Sequence, residues 1–174
     1  FTSSASYFQY DIENLITQNI DPADNLLMYR NIDRIRAEGV EFEITGRMPN
    51  GLHGKISYAF QQSEDLGTEG ELFNAPEHLI KFHLTVPLYR DSIFLGLESL
   101  YTSSRITSSL DSLSGFWLNN LTLFSQDLRP GLDLSASIYN LLDQRYFDPA
   151  GPEHLQSRIE QEGRSVRVKL TYRF

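Results

Sequence analysis

The residues best suited to bind a cation stand in one polar stretch near the end of the chain. These are Asp143, Asp148, Glu153 and His154. Carboxylate oxygens and imidazole nitrogens bind Ca²⁺ or Zn²⁺ when their spacing follows a known pattern. The spacing here fits neither an EF-hand loop nor a zinc motif. A solvated polar loop is therefore the better interpretation, and the sequence predicts no metal site.

Histidine and serine could also form a hydrolytic pair. His83 lies on the polar side of an alternating segment, whereas His53 stands beside a turn and His78 begins a segment, which favours structural roles. A catalytic triad is recognised by its geometry, and nothing in the sequence places a serine beside a histidine with a carboxylate behind it. We therefore expect neither catalysis nor a cofactor.

A third candidate is an acidic stretch in the first half of the chain, which could meet a cationic ligand. It comprises Glu64, Asp65, Glu69 and Glu71. Runs of like charge in a polar stretch are more often solvated surface than binding sites. We interpret it as a solvated loop.

Composition excludes several further classes of function. The 174 residues carry a formal net charge of −8, which is the wrong sign for a nucleic-acid partner. The chain has no cysteine, so it offers neither a disulfide framework nor a thiolate metal site. Aromatic residues make up 12% of the chain, a composition that suits β-strands.

The elements that must position these residues are strands. Apolar residues recur at every second position, and this is the pattern of a strand with two different faces. About eight segments show it: SYFQYDIENLI, AEGVEFEITGRM, KISYAFQQS, HLIKFHLTVPL, IFLGLESLY, FWLNNLTLFS, LDLSASIYN and SVRVKLTYRF. The sequence therefore predicts an all-β fold.

The connections alternate in length. Three are short and rich in turn-forming residues: Pro49–Gly51, Leu88–Ser92 and Leu128–Gly131. Four are long and polar: Thr17–Asn25, Glu64–Glu77, Ser103–Gly115 and Leu141–Gly163. This predicts an antiparallel up-and-down meander with short turns at one end and long loops at the other, a profile typical of outer-membrane β-barrels.

The two faces of the predicted strands differ sharply. One face carries charges that would not suit the interior of a soluble barrel: Glu41, Glu43, Arg47, Lys55, Lys81, Arg167, Lys169 and Arg173. The other face is apolar, with aromatic residues near the strand ends: Phe8, Tyr10, Tyr58, Phe60, Tyr101, Trp117, Tyr172 and Phe174. We predict that lipid covers the apolar face and that the charged face lines a hydrated lumen. Alternation alone also allows a soluble sandwich or barrel.

Two groups of motifs carry a family resemblance. The alternating residues Val166, Val168, Leu170, Tyr172 and Phe174 resemble the C-terminal signature of bacterial outer-membrane proteins. The stretch Tyr139–Asp143, with Arg145, Tyr146, Gly163 and Arg164, resembles the closing hairpin of TonB-dependent outer-membrane receptors. Gly39–Glu41 and Asn74–Pro76, followed by His78 and Lys81, resemble two further motifs of that family.

The resemblance implies that residues 1–174 form the C-terminal part of a transmembrane barrel of about 22 strands, without its earlier strands or its plug domain. It implies a receptor in the bacterial outer membrane that takes up a scarce nutrient such as a ferric siderophore, with energy from TonB acting through the plug. The five alternating residues that end at Phe174 would address the chain to the barrel-assembly machinery. The eight charged residues would contact the plug, and the two longest loops would contribute to ligand binding.

Three alternatives remain open at this stage. One is a self-contained eight-stranded outer-membrane barrel with a structural or adhesive role. The second is a lipid-modifying enzyme of the outer membrane, and the third is a soluble barrel that binds a small ligand. For the segment alone we predict self-association through unpaired strand edges or the apolar face, or closure into a non-native barrel.

Overall fold

The computed structural model describes residues 1–20, 23–24, 26–67, 70–89, 92–151 and 153–174. For residues 17–20, 27, 30, 32, 33 and 70 only the backbone is considered. Across these ranges all regular secondary structure is β-strand. No helix in them is long and apolar enough to cross a membrane.

The strands are numbered in chain order. They are β1 (Thr2–Ile20), β2 (Leu27–Arg47), β3 (His53–Asp65), β4 (Gly70–Glu71), β5 (His78–Tyr89), β6 (Ile93–Thr102), β7 (Arg105–Ile106), β8 (Ser112–Leu113), β9 (Phe116–Ser125), β10 (Leu132–Tyr139), β11 (Phe147–Pro149), β12 (Arg158–Glu160) and β13 (Ser165–Tyr172).

The main sheet confirms the predicted meander. Its strands follow the order β1-β2-β3-β5-β6-β9-β10-β13, and each pairs antiparallel with its neighbours. The short strand β4 adds to β3, while β7–β8 and β11–β12 form two small separate ribbons. The strand order places β1 and β13 at opposite edges of the sheet.

Short turns join the strands at one end. The turn between β2 and β3 is closed by a hydrogen bond of 3.0 Å from the Gly51 amide to the Met48 carbonyl. Gly51 has φ of 85° and Gly131, in the turn before β10, has φ of 77°. Both values lie in the left-handed region that glycine adopts without strain. The predicted turns Pro49–Gly51 and Leu128–Gly131 therefore form, and for the predicted chemical reason. Residues 90 and 91 of the predicted turn Leu88–Ser92 lie outside the described residues.

The opposite end differs in part from the prediction. The strands β1 and β2 have 19 and 21 residues, and their pairing continues to Ile20 and Leu27. Residues 17–20 of the predicted connection Thr17–Asn25 are therefore strand, because the hairpin continues beyond the alternating apolar segment. Residues 21, 22 and 25 of that connection lie outside the described residues. The other three long connections contain the short strands β4, β7, β8, β11 and β12.

The register decides which side chains share a face, because residues directly opposite in a pair project to the same side. Val40 lies opposite both Tyr7 and Phe60, and Leu134 lies opposite Leu170. We call this side the apolar face; across β2 to β13 it carries Val40, Phe42, Ile44, Ile56, Tyr58, Phe60, Ile80, Phe82, Leu84, Val86, Leu95, Leu97, Tyr101, Trp117, Leu121, Leu123, Leu134, Ala136, Ile138, Val166, Val168, Leu170 and Tyr172.

The opposite side is the charged face, and the prediction that Phe8 and Tyr10 lie on the apolar face is wrong. Phe8 lies opposite Gly39 and Tyr10 opposite Ala37, which puts both rings on the side of Glu41 rather than on the apolar face. The position of Phe8 has a packing reason: a Cβ at Gly39 would lie 2.7 Å from its ring. The missing side chain of Gly39 thus makes room for the ring.

Little of the apolar face is covered by the protein itself. Val166 and Val168 are each 69% exposed and Leu170 is 66% exposed. The buried hydrophobic residues of the described chain are Leu113, Phe116 and Ala150, and all three stand in or beside the long connections. The sheet is a single layer, so its apolar side chains need a partner from outside the chain.

The apolar face stops before the long connections. Nearer to those connections, the same side of β1 and β2 carries two ion pairs, Arg36 with Asp11 and Arg34 with Glu13, each at 2.8 Å. The apolar band therefore has a charged border beyond Val40 and Tyr7.

Candidate functional site

The connections β3–β5, β6–β9 and β10–β13 meet at the end opposite the short turns. We call this assembly the loop cap. The Asn74 amide donates to the Ile106 carbonyl at 2.9 Å, which joins the first connection to the second. The small ribbons β7–β8 and β11–β12 give the second and third connections their own backbone pairing. The loop cap is therefore built from hydrogen-bonded segments that touch one another.

Arg105 links all three connections. Its guanidinium donates to Asn74 Oδ1 at 3.1 Å, to the Phe147 carbonyl at 2.9 Å and to Asp148 Oδ1 at 2.7 Å. The side chain is only 9% exposed. A buried guanidinium must have its donors satisfied, and here the acceptors come from two other connections. Arg105 thus makes the geometry of each connection depend on the others.

Aromatic packing supports the same contact. Arg105 lies over the Phe116 ring, 5.5 Å from its centroid, and the Tyr146 ring lies 4.5 Å from the same ring. Phe116 precedes a residue of the apolar face, so it projects to the charged side. Burial, reinforced by Asp148 and Glu162, raises the pKa of Tyr146 above its usual value. The same burial places the Tyr146 ring against Phe116.

The motif that resembles a closing hairpin forms the base of the third connection. Asn140 has φ of 49°, and its side chain accepts from the Gln144 amide and donates to the Gln144 carbonyl, both at 2.8 Å. Asp143 accepts from the Arg164 amide at 2.8 Å. These polar groups hold the two ends of a long connection together.

The residues considered as cation ligands are held apart. Asp143 binds the Arg164 amide and Asp148 binds Arg105, while Glu153 lies 3.6 Å from its neighbour His154. Within the described ranges no three histidine, cysteine or acidic side chains come together as a metal-binding group.

Glu64 and Glu71 of the acidic stretch line an open recess of about 300 Å³ at the loop end of β2 and β3. Glu64 lies opposite Glu71 in the β3–β4 pair, and Arg36 shares the lining. Asp65 accepts from the Gly67 amide at 2.8 Å, which makes it a turn residue. Glu69 lies outside the described residues. In the described chain the recess is lined mainly by acidic and amide side chains, together with Arg36.

The charged face carries all eight of the predicted lumen charges, as the pairing of their strands shows. Lys55 pairs with Glu43 at 2.8 Å, Glu41 accepts from Ser6 at 3.5 Å, and Arg173 pairs with Asp133. The other four are Arg47 opposite His53, Lys81 opposite Ser57, Arg167 opposite Ser137 and Lys169 opposite Ser135. Their contact with a plug stays a prediction.

Two of the histidines make contacts across neighbouring strands. His78 Nδ1 is hydrogen-bonded to the Tyr58 hydroxyl at 2.9 Å, and His83 lies 3.6 Å from Glu98. In the part of the chain that the structure describes, no serine hydroxyl is hydrogen-bonded to a histidine ring. These histidines serve cross-strand contacts on the sheet.

Sequence reasoning did not find Arg105 as the centre of the loop cap. The available signal was that Arg105 is the only basic residue in the polar stretch Ser103–Gly115. A single cation among hydroxyl residues suggests a specific acceptor, but the sequence does not reveal that the acceptors come from other connections.

Known proteins share this architecture. A family model described as TonB dependent receptor-like, beta-barrel matches residues 1–141. The ferric-catecholate import receptor Fiu from K12 E. coli has a TM-score of 0.72 and 22% sequence identity, with 99% of this chain and 25% of that chain covered. The siderophore receptor PiuA from Acinetobacter baumannii has a TM-score of 0.77 and 20% identity, covering 98% and 26%.

The copper transporter OprC has a TM-score of 0.78 and 17% identity, covering 99% of this chain and 28% of that chain. The chain thus spans about a quarter of the length of these structures, and the likeness confirms the predicted all-β antiparallel meander. No curated protein matches the sequence.

Proposed function

The chain belongs to the TonB-dependent receptor-like β-barrel family, and from this premise we propose that it forms the C-terminal part of an outer-membrane receptor that imports a scarce nutrient, such as a ferric siderophore. The family and its solved relatives are receptors and transporters, which favours transport over catalysis.

The division of the sheet into two faces carries the proposal. The apolar face is a continuous single-layer surface with exposed aliphatic side chains such as Val168, and lipid is the partner that suits it. The other face pairs opposite charges such as Glu43 and Lys55 at 2.8 Å, which suits a hydrated lumen. A self-contained eight-stranded barrel would require β1 to pair with β13, whereas these strands stand at opposite ends of the sheet.

The long connections would lie outside the cell, because outer-membrane barrels have short turns on the periplasmic side. The loop cap would then contribute to ligand binding, in particular through the connections Glu64–Glu77 and Leu141–Gly163. The names of the relatives cover a ferric catecholate, siderophores and copper. A metal ion or metal chelate is therefore the cargo class that we propose.

Energy would come from TonB through a plug domain that lies outside this chain. The eight charged residues predicted to line the lumen would contact that plug, because side chains that face the lumen can pair with charges of a domain that fills it. The residues Val166, Val168, Leu170, Tyr172 and Phe174 would serve as the signal for the barrel-assembly machinery.

Uptake by the full-length protein that contains this segment tests the proposal. We expect cells that lack the gene to lose import of a radiolabelled ferric siderophore, and the restored gene to recover it. The same import should disappear when TonB is deleted. Import that persists without TonB would contradict the energised mechanism, and a protein absent from the outer-membrane fraction would contradict the whole proposal.

A further inference from the structure

Arg158 differs from the other arginines of the loop cap because no carboxylate neutralises it. The three connections contain four arginines. Three of them form ion pairs: Arg105 with Asp148 at 2.7 Å, Arg145 with Glu160 at 2.8 Å and Arg164 with Asp143 at 3.7 Å. Arg158 is exposed and makes no ion pair within the described ranges. Its guanidinium lies instead over the Phe147 ring, 4.8 Å from the ring centroid.

The Phe147 ring holds this guanidinium in a defined orientation. A guanidinium stacked on a ring keeps its N–H donors at the edge of its plane, where a planar acceptor can reach them. The acidic residue on the same side of the ribbon β11–β12 is Glu160, since it lies opposite Phe147. Glu160 accepts from Arg145 Nε at 2.9 Å, so it is already engaged. Arg158 therefore presents a positive charge with free donors.

The strand that carries Phe147 is anchored on the lumen side of the sheet. Arg105 donates to the Phe147 carbonyl at 2.9 Å and to Asp148 Oδ1 at 2.7 Å. The preceding residue, Tyr146, packs its ring against Phe116, which projects to the charged side. The stacked pair of Arg158 and Phe147 thus stands on a fixed base at the loop end of the predicted lumen.

The charges around the loop cap differ between its connections. At the base of the β10–β13 hairpin, Arg167 lies over the Tyr139 ring at 5.4 Å, and it too has no ion pair in the part of the chain that the structure describes. The connection β3–β5 has no basic residue from Leu66 to Glu77, and its recess is mainly acidic. An anion would therefore be attracted to the third connection and repelled from the first.

We propose that Arg158, held on Phe147, binds an anionic group of the imported ligand, such as a carboxylate or the paired oxygens of a catecholate. The inference rests on the proposed function and narrows its cargo class to metal chelates with a net negative charge. Such groups accept two parallel hydrogen bonds from one guanidinium. A bare metal cation would be repelled by the same side chain.

The experiment measures equilibrium binding of ferric complexes to the purified full-length protein in detergent. The probes are ferric tris-catecholate and ferric citrate, which are anionic, and a neutral ferric tris-hydroxamate. We expect the protein to bind an anionic probe more tightly than the neutral one. Arg158→Gln should weaken that binding about ten-fold, because hydrogen bonds to charged groups are lost, and should leave binding of the neutral probe unchanged. Arg158→Lys keeps the charge without the planar fork and should restore part of the affinity.

Arg164→Gln is the matched control. It removes the same charge from the same connection, but the Arg164 side chain lies beside Asp143 and should not contact the ligand, so binding should stay within about two-fold. Equal weakening in both variants would indicate a diffuse effect of net charge and would overturn Arg158 as a binding residue. Unchanged binding of the anionic probes in Arg158→Gln, or preference for the neutral probe, would do the same while leaving a chelate receptor in place. Failure to bind any of the three probes would instead refute the proposed cargo class, and this inference with it.

Discussion

Arg105 donates a hydrogen bond of 2.7 Å to Asp148, although 43 positions separate them in the sequence. The contact joins the connection β6–β9 to the connection β10–β13, and the same guanidinium reaches Asn74 in the connection β3–β5. Three connections that belong to different hairpins thus share one buried cation. The loop cap should therefore open as a unit rather than one connection at a time.

Replacing Arg105 by alanine should loosen all three connections together. The variant leaves Asp148 without its cation and removes three hydrogen bonds that the charged guanidinium donates, each worth about 1.5–3 kcal/mol. We expect faster hydrogen exchange in residues 72–77, 103–115 and 146–151 of the full-length protein, with the strands of the sheet unchanged.

The matched control for this variant is Arg145→Ala. Arg145 pairs with Glu160 at 2.8 Å, but its side chain is 76% exposed, and surface pairs contribute only about 0–1 kcal/mol. The Arg145→Ala variant should therefore change hydrogen exchange little. Loosening confined to one connection in the Arg105 variant would show that the loop cap is not a single unit.

Replacing Asn140 by alanine should destabilise the base of the connection β10–β13. The side chain is buried and makes two hydrogen bonds of 2.8 Å to the Gln144 backbone, and a φ of 49° is unfavourable for alanine. We expect a loss of about 1–3 kcal/mol, measured as a lower temperature for heat unfolding of the full-length barrel on gels. Leu142→Ala, at a side chain that is 71% exposed, should leave that temperature unchanged; equal shifts in both variants would refute the assignment.

Removing charge from β13 should weaken retention of the plug. Arg167 and Lys169 lie on the charged face, opposite Ser137 and Ser135, so neither faces an acidic residue in that pair. We expect the double variant Arg167→Ala and Lys169→Ala to increase entry of a large antibiotic that an intact outer membrane excludes. Arg34→Ala, on the other side of the sheet, is the control; unchanged leakage in the double variant would rule out a role in plug contact.

The isolated segment should self-associate in water. The sheet has its edges at β1 and β13, and unpaired edges bind other strands. The apolar face adds exposed side chains such as Leu170, which favour association. We expect sedimentation velocity without detergent to show oligomers or aggregates. A single monomeric species would contradict this expectation.

Much of the fold could be predicted because alternation and turn chemistry are local. A strand with two different environments needs a side-chain period of two, so each segment carries its own signal. Gly51 and Gly131 mark turns because their φ values of 85° and 77° are easily reached only by glycine. The strands and the turns can therefore both be predicted without knowledge of residues far away in the sequence.

The side of the sheet to which a side chain projects cannot be predicted from local sequence, and β1 shows why. Its alternation correctly places Phe8 and Tyr10 on one side of the strand and Gln9 and Asp11 on the other. It does not show which of these two sets joins the apolar face. The pairing of Phe8 with Gly39 decides this, since a shift of one residue would exchange the two faces. The glycine that accommodates the ring belongs to another strand.

The sequence by itself determined the strands, the turns, the two chemically distinct faces and the family, because each rests on residues close together in the chain. Only the tertiary structure decided the orientation of β1, the stacking of Arg158 on Phe147, and the role of Arg105. Those features depend on register and on contacts between connections, where residues far apart in sequence must satisfy one another's space, charge and hydrogen bonds.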